Sequence, residues 1–348
     1  MKSFAITNIY AAMILLLFAA CTDYDKYEDN GPQPQMNVYI AGYLGDYNNS
    51  TAVVWKNGRA IMFPDYEDCR DIAISGNDVY VLGHEGILEG IIGKSPPTYY
   101  WKMAQPQTPT LLEVGYGETI AVSSNGDVYV GGKRSGTPSS CYWKNGQQDS
   151  LFLAGTDFGD VEDIAISGND VYMAGVSLSV AVYWKNGQKV VLANNASSTG
   201  IVVSGNDVYV CGFTITGGRA NAVYWKNGQQ IALSAQDVPE QSAYASAGSY
   251  ATGIAVHGND VYVCGNFVPT SNLWPSAVYW KNGQQIILAA VDDSSGMMGA
   301  MTRGIAVSGN DVYVCGTTYS SGTSTAVYWK NGQKVELGTG VANAITIQ

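Results

Sequence analysis

Hydrophobic and polar residues alternate along this chain in short runs, and the runs recur. Ile72-Ala-Ile-Ser-Gly-Asn-Asp-Val-Tyr80 sets the phrase: an alternating apolar stretch, a turn of small polar residues, and a second apolar stretch. Related versions end at Tyr129, Tyr172, Tyr209, Tyr262 and Tyr313. Each is followed by a Trp-containing partner, most often Ala-Val-Tyr-Trp-Lys-Asn-Gly, with Trp at 55, 101, 143, 184, 225, 280 and 329. Alternation with period two, in runs rich in β-branched and aromatic residues, predicts β-strands. In the last full copy these are Ile305–Ser308, Val312–Gly316, Ala326–Trp329 and Lys334–Leu337, four strands in about 45 residues.

The turns carry their own signals. Ser-Gly-Asn-Asp places Gly-Asn at the centre of a two-residue hairpin, and Trp-Lys-Asn-Gly-Gln places Asn-Gly at the centre of the next. Ser123-Ser-Asn-Gly-Asp127 is one residue longer and its Gly has moved to the third loop position, where a three-residue hairpin needs a left-handed residue. Lys-Asn-Gly is thus turn chemistry, not a basic patch.

A further copy is split between the two ends of the chain. Asn37-Val-Tyr-Ile-Ala-Gly42 supplies its second strand, and Ala344-Ile-Thr-Ile347 supplies its first. A closed ring accounts for the split, with Ile345-Thr-Ile347 paired beside Val38-Tyr-Ile40. An open array would need capping repeats, and none is visible. The expected fold is all-β: a seven-bladed β-propeller of four-stranded antiparallel blades over residues 36–348, closed by pairing the C-terminal strand with the N-terminal blade. Trp and Tyr constant at one depth in every copy belong to packing between blades.

The first 35 residues follow another pattern. Lys2 and the apolar stretch Ile9 to Ala20 read as a signal peptide over 1–20, too short to span a bilayer comfortably. Leu17-Phe-Ala-Ala-Cys21 resembles a bacterial lipobox, which implies that Cys21 carries the lipid. Residues 21–35 are polar and aperiodic, a flexible tether. Its acidic cluster Asp23, Asp25, Glu28 and Asp29 resembles the export signal of Bacteroides-type surface lipoproteins. The Trp-Lys-Asn-Gly repeats of 36–348, taken with the lipobox, resemble the repeat lipoproteins of such bacteria. That resemblance implies an outer-membrane protein, lipid-anchored and facing the exterior.

A net charge of −11 disfavours nucleic acid as a partner. Besides Cys21 the cysteines are Cys69, Cys141, Cys211, Cys264 and Cys315. The last three share one repeat slot with small and apolar residues, so that slot wants a buried side chain. A Cys69–Cys141 pairing stays open. No Cys-x-x-Cys pair, His cluster, Gly-x-Ser-x-Gly or Walker motif points to a metal, a cofactor or a nucleophile.

Function is expected on the ring face bearing the second and fourth connections, which differ in every copy. The candidate binding residues there are Trp274, Phe267, Tyr43, His84, Phe213, Tyr244 and Tyr319, beside carboxylates such as Glu67, Asp68 and Asp160. Exposed aromatics next to hydrogen-bonding groups suit a glycan or a protein partner. The expected function is non-catalytic binding by a monomer attached to the membrane through its lipid alone. Two alternatives stand beside it: a carbohydrate-active enzyme using loop carboxylates, and a structural component of an outer-membrane complex.

Overall fold

The computed structural model describes residues 36–46, 49–86, 96–112, 115–134, 140–149, 159–233, 248–268, 274–290 and 297–348. The chain divides into two units, Met1–Met36 and Asn37–Gln348. All elements of the second unit are β-strands, and no helix occurs among the described residues. The signal segment, Cys21 and the acidic tether lie outside the described residues, as does Tyr244.

The turns form as their residues require. Gly76, Gly168, Gly205, Gly258 and Gly309 take positive φ at the first central position of the Gly-Asn hairpins, and Gly126 takes φ +87° at the third position of the longer loop. Asn57-Gly58 and the equivalent pairs at 145, 186, 227, 282 and 331 are left-handed at both residues. The Asn side chain then does more than turn. Asn186 Oδ1 accepts from Val171 N at 2.9 Å and its Nδ2 donates to Asp170 Oδ1 at 2.7 Å, joining two adjacent hairpins. Lys185 reaches the same Asp170 at 2.8 Å and lies over the Tyr172 ring. The corner recurs at Asp207, Asp260 and Asp311. Each exposed ion pair contributes only about 0–1 kcal/mol, so the corner orients the hairpins more than it stabilises them.

Strands follow one another as antiparallel meanders of four, such as Gly159–Ser167, Asp170–Ser177, Val180–Lys185 and Gln188–Asn194. Two larger sheets arise by joining. A single parallel bridge, Ala220 with Gly248, links two meanders. The long strand Gln333–Ile347 serves two others, pairing first with Thr323–Lys330 and then with Val38–Asp46. The second pairing closes the chain on itself: Val38 opposes Ile347, Tyr39 opposes Thr346 and Ile40 opposes Ile345. Asn37 and Gln348 exchange backbone hydrogen bonds of 2.8 and 2.9 Å. Ile40 is buried, whereas Ile345 and Ile347 are half-buried.

Inner strands adjoin one another in a cycle: Asp68–Ser75, Gly115–Val122, Gly159–Ser167, Ala196–Ser204, Gly248–His257, Met297–Ser308, the end of Gln333–Ile347, and Asp68–Ser75 again. Faces of neighbouring meanders pack on each other, and the repeated Trp side chains sit between them, each at most 1% exposed. Trp101, for example, meets Phe63 edge-on at 5.3 Å and stacks on Tyr66 at 4.4 Å. Tyr66 is thereby half-buried in the packing.

Strands run further than the sequence pattern marks them. The second connections at Leu178-Ser179, Gly217-Gly218 and Ser321-Gly322 are themselves tight hairpins with positive φ at both residues. Ladder pairing therefore extends through residues expected in loops, such as Phe213, Thr214, Thr318 and Tyr319. All five cysteines of the second unit are free and buried, which answers the Cys69–Cys141 question.

Candidate functional site

Each inner strand carries a β-bulge at one fixed place. The ladder passes from Cys69 to Asp71, from Gly117 to Thr119 and from Val161 to Asp163, leaving out Arg70, Glu118 and Glu162. The same skip omits Thr199 and Thr252, and then Arg303. In the closing strand it omits Asn343. An extra residue on one strand bends it and re-aims its side chain, and these side chains together line the axial channel of the ring. The glycine across from each bulge is obligatory: a Cβ on Gly212 would stand 2.0 Å from Ser197 O, and one on Gly316 2.0 Å from Met301 O.

The lumen, a cavity of about 300 Å³, is thus lined by charges and hydrogen-bonding groups. Arg70 pairs with Glu118 at 2.7 Å and lies 3.9 Å from Asp68. Glu162 is exposed to the lumen, where partial desolvation by the surrounding ring, followed by the charges of Glu118 and Asp160, pushes its carboxyl above the usual range. Thr199 donates to Ala251 O at 2.9 Å, the hydroxyls of Thr252 and Thr302 lie 3.1 Å apart, and Asn343 Nδ2 donates to Cys69 O at 3.0 Å.

One residue beyond the bulge, Asp71, Thr119 and Asp163 knit four inner strands together. Asp71 accepts from Ile72 N, Ile120 N and the Thr119 hydroxyl at 2.8, 2.8 and 2.9 Å. Asp163 accepts from Ile164 N and Ile201 N, both at 2.8 Å, and lies 3.3 Å from the Thr119 hydroxyl. Both carboxyls touch the narrow lumen but are walled by protein on their other sides. Burial raises Asp71 to about 6 against its hydrogen bonds, and raises Asp163 to about 7, where the Asp71 charge adds to it. A hydroxyl has one proton, so Thr119 satisfies both carboxyls when it donates to Asp71 and accepts from a protonated Asp163.

At the mouth the lumen widens into a cavity of about 480 Å³, bordered by Tyr43, Glu67, His84, Tyr116 and Arg303 among others. His84 is only 3% exposed. Its Nδ1 lies 3.0 Å from Asp68 Oδ1, and its Nε2 donates to Gly117 O at 3.0 Å. Tyr116 stacks on its ring at 4.0 Å, with the Arg70 guanidinium 5.5 Å from the Tyr116 centroid. Gly117 O holds Nε2 and the Asp68 carboxylate faces Nδ1, so His84 fixes the shape of the mouth.

Of the residues singled out from sequence, Tyr43 and His84 meet at this mouth. Tyr319 lies one residue from the end of a strand, within electrostatic reach of Tyr43, its hydroxyl 3.6 Å from Met301 Sδ. Phe213 and Phe267 sit in strands rather than loops, Phe213 against Tyr250 at 5.1 Å and Phe267 half-buried on the core. His84 likewise ends a strand instead of opening a loop. Trp274 is 42% exposed and its Cβ lies beside Gly299. Sequence reasoning missed the bulge residues. Their signal was present: a polar residue stands two places before an Ile in every first strand, from Arg70 before Ile72 to Asn343 before Ile345.

No protein-family model matches the chain, and neither does any curated protein. Solved structures do. A periplasmic gluconolactonase of Pseudomonas aeruginosa is 12% identical, with 90% of this chain and 98% of that one covered, at a TM-score of 0.50. The β-propeller domain of the trilobed protease from Pyrococcus furiosus is 10% identical, with 88% and 92% covered, at 0.54. A prolyl endopeptidase is 11% identical, with 87% of this chain and 50% of that one covered, at 0.50. The fold is a β-propeller. At such identities the likeness reaches the architecture alone, since many activities share propellers. The protease propeller is described as having an open velcro topology, whereas in this propeller the first and last strands pair.

Proposed function

We propose that this chain is a seven-bladed propeller lipoprotein that binds a glycan or a protein at the mouth of its axial channel without catalysing a reaction. In this reading the lipid is carried on Cys21 and holds the protein at the outer face of the outer membrane. The observation that carries the binding assignment is the composition of the mouth cavity. Tyr43 and Tyr116 border it beside Glu67, Asp68, Arg303 and Asn343, with one face of Tyr116 already stacked on His84. An aromatic face next to hydrogen-bonding groups suits a sugar ring or a protein side chain. A glycan panel and a surface-protein pull-down with the purified second unit test it. Tyr43→Ala and Tyr116→Ala should each weaken the captured ligand about tenfold, or about 1.4 kcal/mol. Equal affinity in both variants removes the mouth as the site.

A second reading is favoured by one observation. Glu118, ion-paired to Arg70, and Glu162, pushed upward, share the lumen, and carboxyls held in different environments can divide acid and base roles in glycoside cleavage. Turnover of any glycan that is lost in both Glu118→Gln and Glu162→Gln would establish this reading in place of the first.

A further inference from the structure

Around the lumen, the bulge residues satisfy one another or the neighbouring strand, with two exceptions. Arg70 is neutralised by Glu118, Thr199 and Thr252 bond to the next strand, and Asn343 holds Cys69 O. Arg303 and Glu162 have neither an ion pair nor a side-chain hydrogen bond among the described residues. Lys133, whose charge is felt at Glu162, is taken by Asp160 at 3.0 Å. Arg303 and Glu162 line the same cavity.

Their places in the ring keep them apart. From Gly159–Ser167, which bears Glu162, the cycle of inner strands runs through Ala196–Ser204 and Gly248–His257 before reaching Met297–Ser308, which bears Arg303. The other way round passes through Gly115–Val122, Asp68–Ser75 and the closing strand. The two charges therefore face each other across the channel, and no strand-to-strand neighbour lets them pair. A cavity of about 300 Å³ is at the small end of ligand sites.

We propose that the axial channel binds a small zwitterion, its carboxylate held by Arg303 and its ammonium by Glu162. Both side chains are open to the solvent of the channel, so a ligand with only one charge would engage one wall of the lumen and leave the opposite one to water, gaining half the contacts. A simple anion must also enter a protein of net charge −11. A molecule with both charges, separated by a short spacer, satisfies both walls with no change in net charge. Free amino acids, ω-amino acids and short peptides have this chemistry. The site shares Arg303 with the mouth and is set apart from it by Glu162, which lies outside the mouth lining.

Calorimetry of the purified second unit with glycine, γ-aminobutyrate, diglycine and triglycine tests it, since the series spans the channel in steps. At least one member should bind saturably at millimolar concentration or better. Its N-acetyl and its amide derivatives, each missing one charge, should bind at least tenfold more weakly to the unaltered protein. Glu162→Gln should weaken the zwitterion at least tenfold while leaving the N-acetyl form unchanged, and Arg303→Gln should do the converse with the amide. The derivatives need no variant, so the test survives a variant that fails to fold. Absence of saturable binding across the series, or equal binding of the singly charged derivatives, would overturn the proposal. Loss of mouth binding in Tyr43→Ala with zwitterion binding retained would separate the two sites.

Discussion

Cys211 fills the space that Gly200 leaves open. The two are ladder partners, and a Cβ on Gly200 would stand 2.9 Å from the Cys211 sulfur. The pairing recurs as Gly253 with Cys264 and Gly304 with Cys315, while Asp71 faces Leu82 and Asp163 faces Ala174. Gly200→Ala should therefore cost about 1–3 kcal/mol through overpacking. Cys211→Ala alone should cost about 1 kcal/mol. The double variant should be more stable than the sum of the two, as urea unfolding would show. The recovery is partial, because the new methyl also meets Gly253 Cα at 3.3 Å.

Burial raises the Cys264 thiol to about 11 and the Cys211 and Cys315 thiols further still. The thiolate is the reactive form. The native second unit should show no reaction with a thiol reagent at pH 8, and all five of its cysteines should react once urea unfolds it. A fast-reacting thiol in the native protein would contradict the packing.

The Asp71–Thr119–Asp163 chain makes stability depend on pH. Both carboxyls are raised in the folded protein above the ordinary value of 3.8, so between about pH 4 and 7 the native state holds more protons than the unfolded chain. Stability from these groups is full below the unfolded value and is lost as pH rises through 6 and 7. The urea midpoint should fall between pH 5 and 8. The loss is on the order of a few kcal/mol, since each tenfold change in proton affinity is worth about 1.4 kcal/mol. Thr119→Val removes the shared hydroxyl and should steepen that fall. The exposed corner carboxylates Asp127, Asp170, Asp207, Asp260 and Asp311 are held low by their Lys partners and act in the opposite sense, only in more acidic solution.

Removing residues 344–348 should destabilise the whole propeller. The cut takes away the pairing of Ile345 to Ile347 with Val38 to Ile40, the exchange between Gln348 and Asn37, and the Gln348 contact with Gly76 O at 2.9 Å. At roughly 1 kcal/mol per hydrogen bond, that is a large part of a typical net stability of about 5–15 kcal/mol. An unchanged melting midpoint would mean that the ring does not depend on this seam.

Trp280 and Trp274 stand six residues apart and should behave differently. Trp280 is fully buried, and Trp280→Ala should cost about 3–5 kcal/mol. Trp274 is largely exposed, and Trp274→Ala should shift the melting temperature little. Equal damage in both melts would make Trp274 a packing residue and withdraw it from the candidate binding set.

The scaffold was legible because its determinants are local and repeated. Gly126 moving one place announced the three-residue turn, Asn57-Gly58 announced the left-handed pair, and the split copy announced the pairing of Val38 with Ile347. The lumen was not read, because a bulge leaves no mark in an alternation beyond one extra residue. Its slot also changes chemistry from Arg70 to Glu118 to Thr199, so it does not look like a motif. Strand lengths were underread for a related reason. Thr317 to Ser320 pair with Thr323 to Ala326 through backbone groups, which polar side chains do not disclose.

The seam between Asn37 and Gln348 also means that the order of the copies along the chain is not fixed by the architecture. Those two residues exchange the same paired backbone bonds that flank the Gly76-Asn77 turn between Ser75 and Asp78. A Gly-Asn link from Gln348 to Asn37 would recreate that turn, and new ends opened at Asn227-Gly228 would fall in an exposed hairpin rather than a ladder. A circularly permuted chain of that kind would keep every inner strand beside the same neighbours.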